Sequence, residues 1–214
     1  MKHYKFGYTA IIGRPNVGKS TLLNQILGQK IVIATDKAQT TRRRINGILT
    51  NDEAQIVFVD TPGIHKPVDP LGECLVDEAK SAIPDVDLVL FIVDGSTTAG
   101  RGDRWIVENV LKEYKGQMII VANKYDLVKD VQKREEILLT YKTLFNQNYP
   151  TVKISAKTGR NFDTLITNIV RKLPAGEKVY EDDEITDETM RNIARELIRE
   201  KILLHTHDEV PHSV

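Results

Sequence analysis

Gly13, Arg14, Pro15, Asn16, Val17, Gly18, Lys19 and Ser20 stand directly after an apolar run at 8–12 and directly before Thr21 and an apolar-periodic stretch that reaches Leu27. The spacing, a glycine, four residues and then Gly-Lys-Ser, is that of a phosphate-binding loop between a strand and a helix. Gly13 and Gly18 let the backbone turn so that several N–H groups face one anion, and the following helix adds its positive end at the same place. Lys19 can reach the β- and γ-phosphate oxygens, and the Ser20 hydroxyl can take one position on a Mg2+ ion bridging them. A plain glycine turn would explain the two glycines but leave Lys19 and Ser20 without a reason.

The rest of the pattern suits such a loop. Strand signals recur at 8–12, 45–49, 56–59, 88–93, 118–121 and 152–154, and helical patterns lie between most of them. Ile137, Leu138, Tyr141, Leu144 and Phe145 repeat at helical spacing, as do Phe162, Leu165, Ile166, Ile169, Val170 and Leu173. Strands that are apolar throughout suit a sheet covered on both faces, so the expectation is a three-layer α/β domain with a mostly parallel sheet over residues 1–173. A chain of 214 residues leaves room for a remainder beyond it. Thirty basic residues balance thirty acidic ones, so whole-chain charge argues neither for nor against a polyanionic partner. Cys74 is the only cysteine, which excludes an internal disulfide and a cysteine-rich zinc module; it reads as a packing residue in a reducing interior. No export signal is visible at the N-terminus, and nowhere do roughly eighteen apolar residues run together. The expectation is a cytoplasmic chain with no transmembrane segment, whose membrane contact, if any, is peripheral.

Three further stretches carry chemistry. Asp60, Thr61, Pro62 and Gly63, followed by Ile64, stand at the end of the strand 56–59, where the carboxyl ends of parallel strands collect ligands. Asp60 can hold Mg2+ through water, and the Gly63 N–H can meet a γ-phosphate. Alone this is common turn chemistry; behind a phosphate loop it reads as a switch. Asn123, Lys124, Tyr125 and Asp126 follow the strand 118–121. Asp126 can accept from N1–H and the exocyclic amine of guanine together, Asn123 can serve the other edge, and Lys124 can lay its stem along the base. Adenine lacks both donors, a mismatch that can reach on the order of 10⁴-fold. Ser155, Ala156 and Lys157, after the next strand, would bring the Ala156 N–H near the guanine O6. The ligands expected are therefore GTP and GDP with Mg2+. Between Gly28 and the strand at 45 runs a long loop without helical period, and its basic end, Lys37, Arg42, Arg43 and Arg44, is either a solvated face or an RNA contact.

In this order, the phosphate loop, a Thr-Thr-Arg loop at 40–42, DTPG at 60–63, NKYD at 123–126 and SAK at 155–157 resemble GTPases of the translation-factor class. The wording of 39–42, 60–67 and 199–213 is similar to that of the Era-like family, and the resemblance covers essentially all 214 residues. It implies a GTPase domain followed by a KH domain that binds the 3′ end of small-subunit ribosomal RNA, a role in maturation of the small ribosomal subunit, and a loose association with the inner membrane. By position it implies phosphate binding by Gly13 to Ser20, Mg2+ binding by Ser20, Thr41 and Asp60, and base binding by Asn123, Lys124 and Asp126. Thr41 is preferred to the adjacent Thr40 because it immediately precedes Arg42. Asn16, Lys19, Thr41 and Gly63 are the candidate catalytic residues. Asn16 matches the asparagine that in several such GTPases helps hold a K+ ion, so K+-stimulated hydrolysis is expected. Ile64 stands where many signalling GTPases carry a water-orienting glutamine, and a hydrocarbon cannot hydrogen-bond water; intrinsic hydrolysis is expected below roughly 10⁻² s⁻¹. No catalytic base is evident, and His65 reads as a loop residue or as a direct participant.

Residues 174–185 form a Pro- and Gly-broken, acidic linker, and 186–214 read as the beginning of the KH-type domain. Thr186 is expected to cap a helix with Met190, Ile193, Ala194, Leu197 and Ile198 on one face, and 202–206 to form a strand. The chain reaches Val214 before any GxxG loop that could clamp a nucleic-acid backbone, so RNA binding is not expected from this stretch alone, and the tail is expected to be marginal, rearranged or packed on the first domain. His205, His207 and His212 read as strand polar residues or, less economically, as metal ligands. Two other functions are compatible with a phosphate loop: a small-molecule kinase, against which the guanine-reading stretch argues, and a GTP-binding regulatory module without RNA output.

Overall fold

The computed structural model describes residues 3–33 and 43–205. Its elements run β1 (Lys5–Ile12), α1 (Lys19–Leu27), β2 (Ile45–Thr50), β3 (Ala54–Asp60), α2 (Pro70–Ser81), β4 (Leu88–Asp94), α3 (Arg101–Ile106, continuing as a π-turn over Val107–Leu111), β5 (Gln117–Asn123), α4 (Val131–Lys142), β6 (Thr151–Lys153), α5 (Phe162–Lys172) and α6 (Met190–His205). The six strands form one sheet in the order β2-β3-β1-β4-β5-β6, with only the β2–β3 pair antiparallel. All six strand expectations fall on these strands, five of them to within two residues at either end, while β1 begins at Lys5, three residues before the expected start.

The all-apolar strands are explained by two cores. Along β4, Leu88, Leu90 and Ile92 join Leu22, Leu23, Leu165 and Ile169 of α1 and α5, whereas Val89, Phe91 and Val93 join Val76, Ala79, Ile106, Ile137 and Tyr141 of α2, α3 and α4. Successive residues of a strand point to opposite faces, so a sheet covered on both sides needs apolar residues at every position. Cys74 departs from its expected packing role. It lies exposed on α2, because the buried stripe of that helix is Gly72, Leu75, Val76 and Ala79.

The tail also departs from expectation. Residues 202–205 continue α6 instead of starting a strand, and Thr206, His207 and His212 lie outside the described residues. A lone strand here would leave its backbone groups unpaired, whereas a helix satisfies them internally. The helix is capped by Thr189, whose carbonyl accepts from Ile193 N and whose hydroxyl accepts from Asn192 N at 3.3 Å. Thr186 instead donates to Asn46 O of β2 at 2.6 Å. The face α6 buries is not the expected one: Arg199, Glu200 and Leu203 are buried, and Met190 and Ile198 are exposed. Glu200 pairs with Lys30 at 2.5 Å, which seats the helix beside the loop that follows α1.

Residues 174–185 lie against the sheet. Phe6 N donates to Pro174 O, Gly176 N to Tyr4 O and Ile48 N to Ile185 O. The main post is Gln55, fully buried on β3. Its Oε1 accepts from Val179 N at 2.8 Å and Tyr180 N at 3.0 Å, and its Nε2 donates to Tyr180 O and Thr50 Oγ1, both at 2.9 Å. The same-sized, apolar Gln55→Leu would strand four polar groups. Each buried unpaired group costs about 1–3 kcal/mol, and water reaching the linker will recover part of that. We expect a loss of about 2–4 kcal/mol in urea unfolding together with faster amide exchange at Val179 and Tyr180. Unchanged exchange at those two amides would show that Gln55 does not hold the linker.

Candidate functional site

β1 has β3 on one side and β4 on the other, so successive connections leave it in opposite directions and open a crevice at its carboxyl end. The loop 13–18 lies there. Gly18 has φ 94° at the cap of α1, a left-handed conformation that disfavours a side chain, and a Cβ on Gly13 would come within 2.4 Å of the Ile92 carbonyl oxygen. Lys19 is only 6% exposed and donates to the carbonyls of Gly13 at 3.2 Å and Arg14 at 3.0 Å. Burial pushes its pKa down to about 8, with Asp60 acting in the opposite direction. Ser20 Oγ donates to Asp60 Oδ2 at 3.0 Å, and Asp60 is fully buried. Arg14 turns away from this cradle. Its Nε meets buried Asp103 Oδ1 at 2.7 Å, and Asp103 Oδ2 accepts from Gly100 N at the start of α3. Burial works against the Arg14 charge, but Asp103 outweighs it and raises the guanidinium pKa. Val17 is buried, Asn16 has φ 62°, and Thr21 is exposed on α1.

The Asp60–Gly63 stretch is docked onto this loop. Thr61 Oγ1 donates to Ile11 O at 2.7 Å, Ile64 N donates to Gly13 O at 3.1 Å, and a Cβ on Gly63 would lie 2.9 Å from Pro15 Cα. Pro62 is buried with Thr61. The Ile64 side chain is fully buried in the core shared with Ile12, Val76 and Phe91, and so belongs to the packing of α2 and α3. His65 is half-buried. Thr40 and Thr41 lie outside the described residues.

The third part of the site stands at the ends of β5 and β6. Asn123, 2% exposed, donates from Nδ2 to Val17 O at 2.8 Å and accepts at Oδ1 from Ala156 N at 2.7 Å. Sequence reasoning places Asn123 on the base edge and the Ala156 N–H on a guanine oxygen; the structure engages both with each other and makes Asn123 the brace between loops. Lys124, at φ 61°, pairs with Asp94 at 2.8 Å. Arg134, 4.2 Å from the centroid, and Lys153, at 5.4 Å, both lie over the Tyr125 ring, which steadies the short turn Tyr125–Leu127. Asp126, half-buried on that turn, has no hydrogen bond or ion pair among the described residues. Ser155 Oγ is buried without a hydrogen-bond partner among the described residues, and Lys157 is exposed.

Sequence reasoning missed Asp94 and Asp103. Asp94 closes β4 just as Asp60 closes β3 and Asn123 closes β5, so the rule of strand carboxyl ends applied to 88–93 would have reached it. Asp103, three residues after Gly100, carries a helix-start signal that says nothing of Arg14.

Taken together, the backbone of 13–18, whose residues other than Pro15 carry an N–H, the Lys19 ammonium and the α1 terminus meet at one end of the sheet, a set able to receive an anion, with a hydroxyl and a carboxylate beside it. Those two oxygens suit Mg2+, which takes few protein ligands and completes its shell with water and phosphate. No group of three or more His, Cys, Asp or Glu that could hold a metal occurs among the described residues. An unpartnered carboxylate at Asp126 can accept two parallel N–H donors from a purine edge.

Comparison with known proteins agrees with this geometry. The family described as 50S ribosome-binding GTPase matches residues 8–124. The chain is 50% identical over 212 residues to the GTPase Era of Crocosphaera subtropica, covering 99% of this chain and 67% of that protein, and 52% identical over 213 residues to the GTPase Era of a Nostoc species, covering 99% and 64%. It thus spans about two thirds of the length of these relatives. Among solved structures it resembles Era in complex with MgGDPNP and nucleotides 1506–1542 of 16S ribosomal RNA, with a TM-score of 0.93, 40% identity and coverage of 99% of this chain and 71% of the other. It also resembles a substituted Era of Aquifex aeolicus bound to GDP·AlF4⁻, with a TM-score of 0.91, 40% identity and coverage of 98% and 70%.

The depressed Lys19 pKa has a measurable consequence. A bound diphosphate favours the ammonium, so above about pH 8 binding must take up a proton, and affinity should fall by up to about tenfold per pH unit. Calorimetry of GDP binding near pH 9 in buffers of different ionisation enthalpy is expected to show net proton uptake that is absent near pH 6.5. Lys19→Met should abolish the uptake. For folding the sign is opposite in sense: the unfolded chain holds this proton up to the ordinary lysine range, so this group's contribution to stability rises from about pH 8 to 10.5.

Proposed function

The chain belongs to the Era family of GTPases, and from that premise we propose that it is a guanine-nucleotide switch that hydrolyses GTP to GDP and phosphate and serves assembly of the small ribosomal subunit. The observation that carries the reading is the Asn123 amide, which ties the phosphate loop at Val17 to the Ala156 turn. An anion on 13–18 and a purine on Asp126 then belong to one ligand.

In this reading the backbone N–H groups between Gly13 and Gly18, Pro15 having none, and the Lys19 ammonium hold the phosphates, and Ser20 and Asp60, with Thr41, hold Mg2+. The metal, when bound, neutralises charge developing on the β- and γ-oxygens. Gly63 offers its N–H to the γ-phosphate and ties the Asp60–Gly63 stretch to its presence. Asp126 reads N1–H and the amine, the Lys124 stem supports the base, and the Ala156 N–H, while keeping its bond to Asn123, also serves the guanine O6. Hydrolysis by the chain alone is slow, because the Ile64 side chain is committed to the core and orients no water. K+ held by Asn16 stands in for a positive group at the γ-phosphate.

For partners, the similar Era structure holds 16S ribosomal RNA, which supports small-subunit ribosomal RNA and the small ribosomal subunit as the partner here. We read 1–173 as the GTPase domain, 174–185 as the linker and 186–214 as the first part of a KH-type domain. Exposed Met190, Leu197, Ile198 and Leu204 on α6 support this, since they offer an apolar face of the kind the rest of such a domain would cover. The chain is assigned to the cytoplasm, with peripheral association at the inner face of the membrane; no helix among the described residues is long and apolar enough to cross one.

Two measurements test the reading. Asp126→Asn is expected to weaken GDP binding by at least about 100-fold and to move preference toward xanthosine nucleotides, whose 2-oxo group needs a donor where guanine offers one. An unchanged preference would remove Asp126 from the base. GTP turnover should be several-fold faster in KCl than in NaCl at equal ionic strength, and Asn16→Ala should erase the difference; equal rates in both salts would refute the K+ role.

A further inference from the structure

Asp94 is held on every side. It closes β4 in register with Asn123 of β5, and Gly95 N donates to Asn123 O at 2.6 Å. Its carboxylate is 16% exposed. Oδ1 accepts from Ser96 Oγ at 2.5 Å and Ser96 N at 3.0 Å, and Oδ2 receives the Lys124 ammonium at 2.8 Å. Its carbonyl accepts from Tyr141 OH at 3.0 Å and from Thr97 N at 3.2 Å. Burial pushes the carboxyl pKa up, but Lys124 and Ser96 outweigh it and hold the group below the usual carboxylate range, so it stays ionised.

Lys124, by contrast, has a weak hold on its own geometry. Its φ of 61° is uncommon for a residue with a side chain, and a lysine stem has four rotatable bonds. Left to itself, such a stem samples many rotamers, and ordering it when a ligand binds costs free energy. With its charged end fixed on a rigid carboxylate, the stem is ordered before the ligand arrives. What remains to contact a planar ring is a run of methylenes at a fixed height beside Asp126.

We propose that Asp94 is a positioning residue for base recognition, acting through Lys124 to preorganise the apolar surface on which the purine lies. The inference rests on the guanine-nucleotide reading above. It accounts for a half-buried aspartate that touches neither the phosphate loop nor the metal oxygens, and for why the lysine of the NKYD stretch has its charge matched within the protein instead of by phosphate.

The test is Asp94→Asn, which keeps the shape and the acceptor for Ser96 but loses the charge. GDP dissociation, followed with a fluorescent analogue, is expected to accelerate about tenfold, and the KM for GTP to rise by a similar factor with kcat changed less than about twofold. Affinity for inorganic pyrophosphate, which has no base, should be unaltered. The double variant Asp94→Asn with Lys124→Met should lose little beyond Asp94→Asn alone, because both changes act through one pair. Ser96→Ala, which loosens one brace and spares the ion pair, should accelerate GDP release by about two- to threefold and keeps the test available should Asp94→Asn fold poorly. The proposal is overturned if Asp94→Asn releases GDP at the parent rate, or if pyrophosphate and GDP affinities fall together, which would mark a general loosening of the fold. A parent chain that binds no guanine nucleotide would refute the functional reading itself.

Discussion

One buried amide holds the site together. Asn123 reaches from the end of β5 to the phosphate loop through Val17 O and to the β6 turn through Ala156 N, while its backbone carbonyl takes Gly95 N from the β4 turn. Four loops at the carboxyl edge of the sheet therefore share one reference point. Because the amide lies almost wholly out of water, each bond is costly to break without a replacement, which is what lets a single side chain set the spacing between loops far apart in sequence. The gap between the loop 13–18 and the turn Tyr125–Leu127 follows from that spacing.

Electrostatics shows why the phosphate loop suits an anion. The Lys19 ammonium is removed from water and answered mainly by carbonyl oxygens and the more distant Asp60, so its pKa is pulled toward neutrality. In the proposed reading, a phosphate would supply the missing counter-charge. Arg14 is the contrasting case on the same loop: its charge is matched by Asp103, which ties the loop to α3. The two cations of one short loop thus differ in role because only one has a carboxylate within reach.

The linker and α6 are bound to the parts of the sheet that lead to the site. Gln55 sits on β3, the strand that ends at Asp60, and Ile48 and Asn46 on β2 take the bonds of Ile185, Thr186 and Asp187. Lys30, on the segment leaving α1, carries Glu200. Any rearrangement of β2, β3 or the loop after α1 would disturb those bonds, so the tail and the nucleotide crevice share the same hairpin.

Much of this was legible in the residues. Local order sets the phosphate loop, because glycines at 13 and 18 and the following helix specify a backbone shape without help from distant residues. The strands were legible because both faces of the sheet are covered, which leaves uninterrupted apolar runs such as 88–93. What the sequence could not decide were facts created by meeting across the fold. Asn123 looks free to read a base until Val17 and Ala156 are brought beside it; Asp94 and Asp103 look like ordinary strand-end and helix-start acids until Lys124 and Arg14 arrive. The run at 202–205 fits a strand or a helix equally well, and among the described residues no strand lies beside it to pair with, whereas a helix satisfies its own backbone. Short-range steric rules determined the loop and the layers by themselves, whereas which polar groups would be satisfied, and by whom, depended on three-dimensional proximity that no spacing along the chain records.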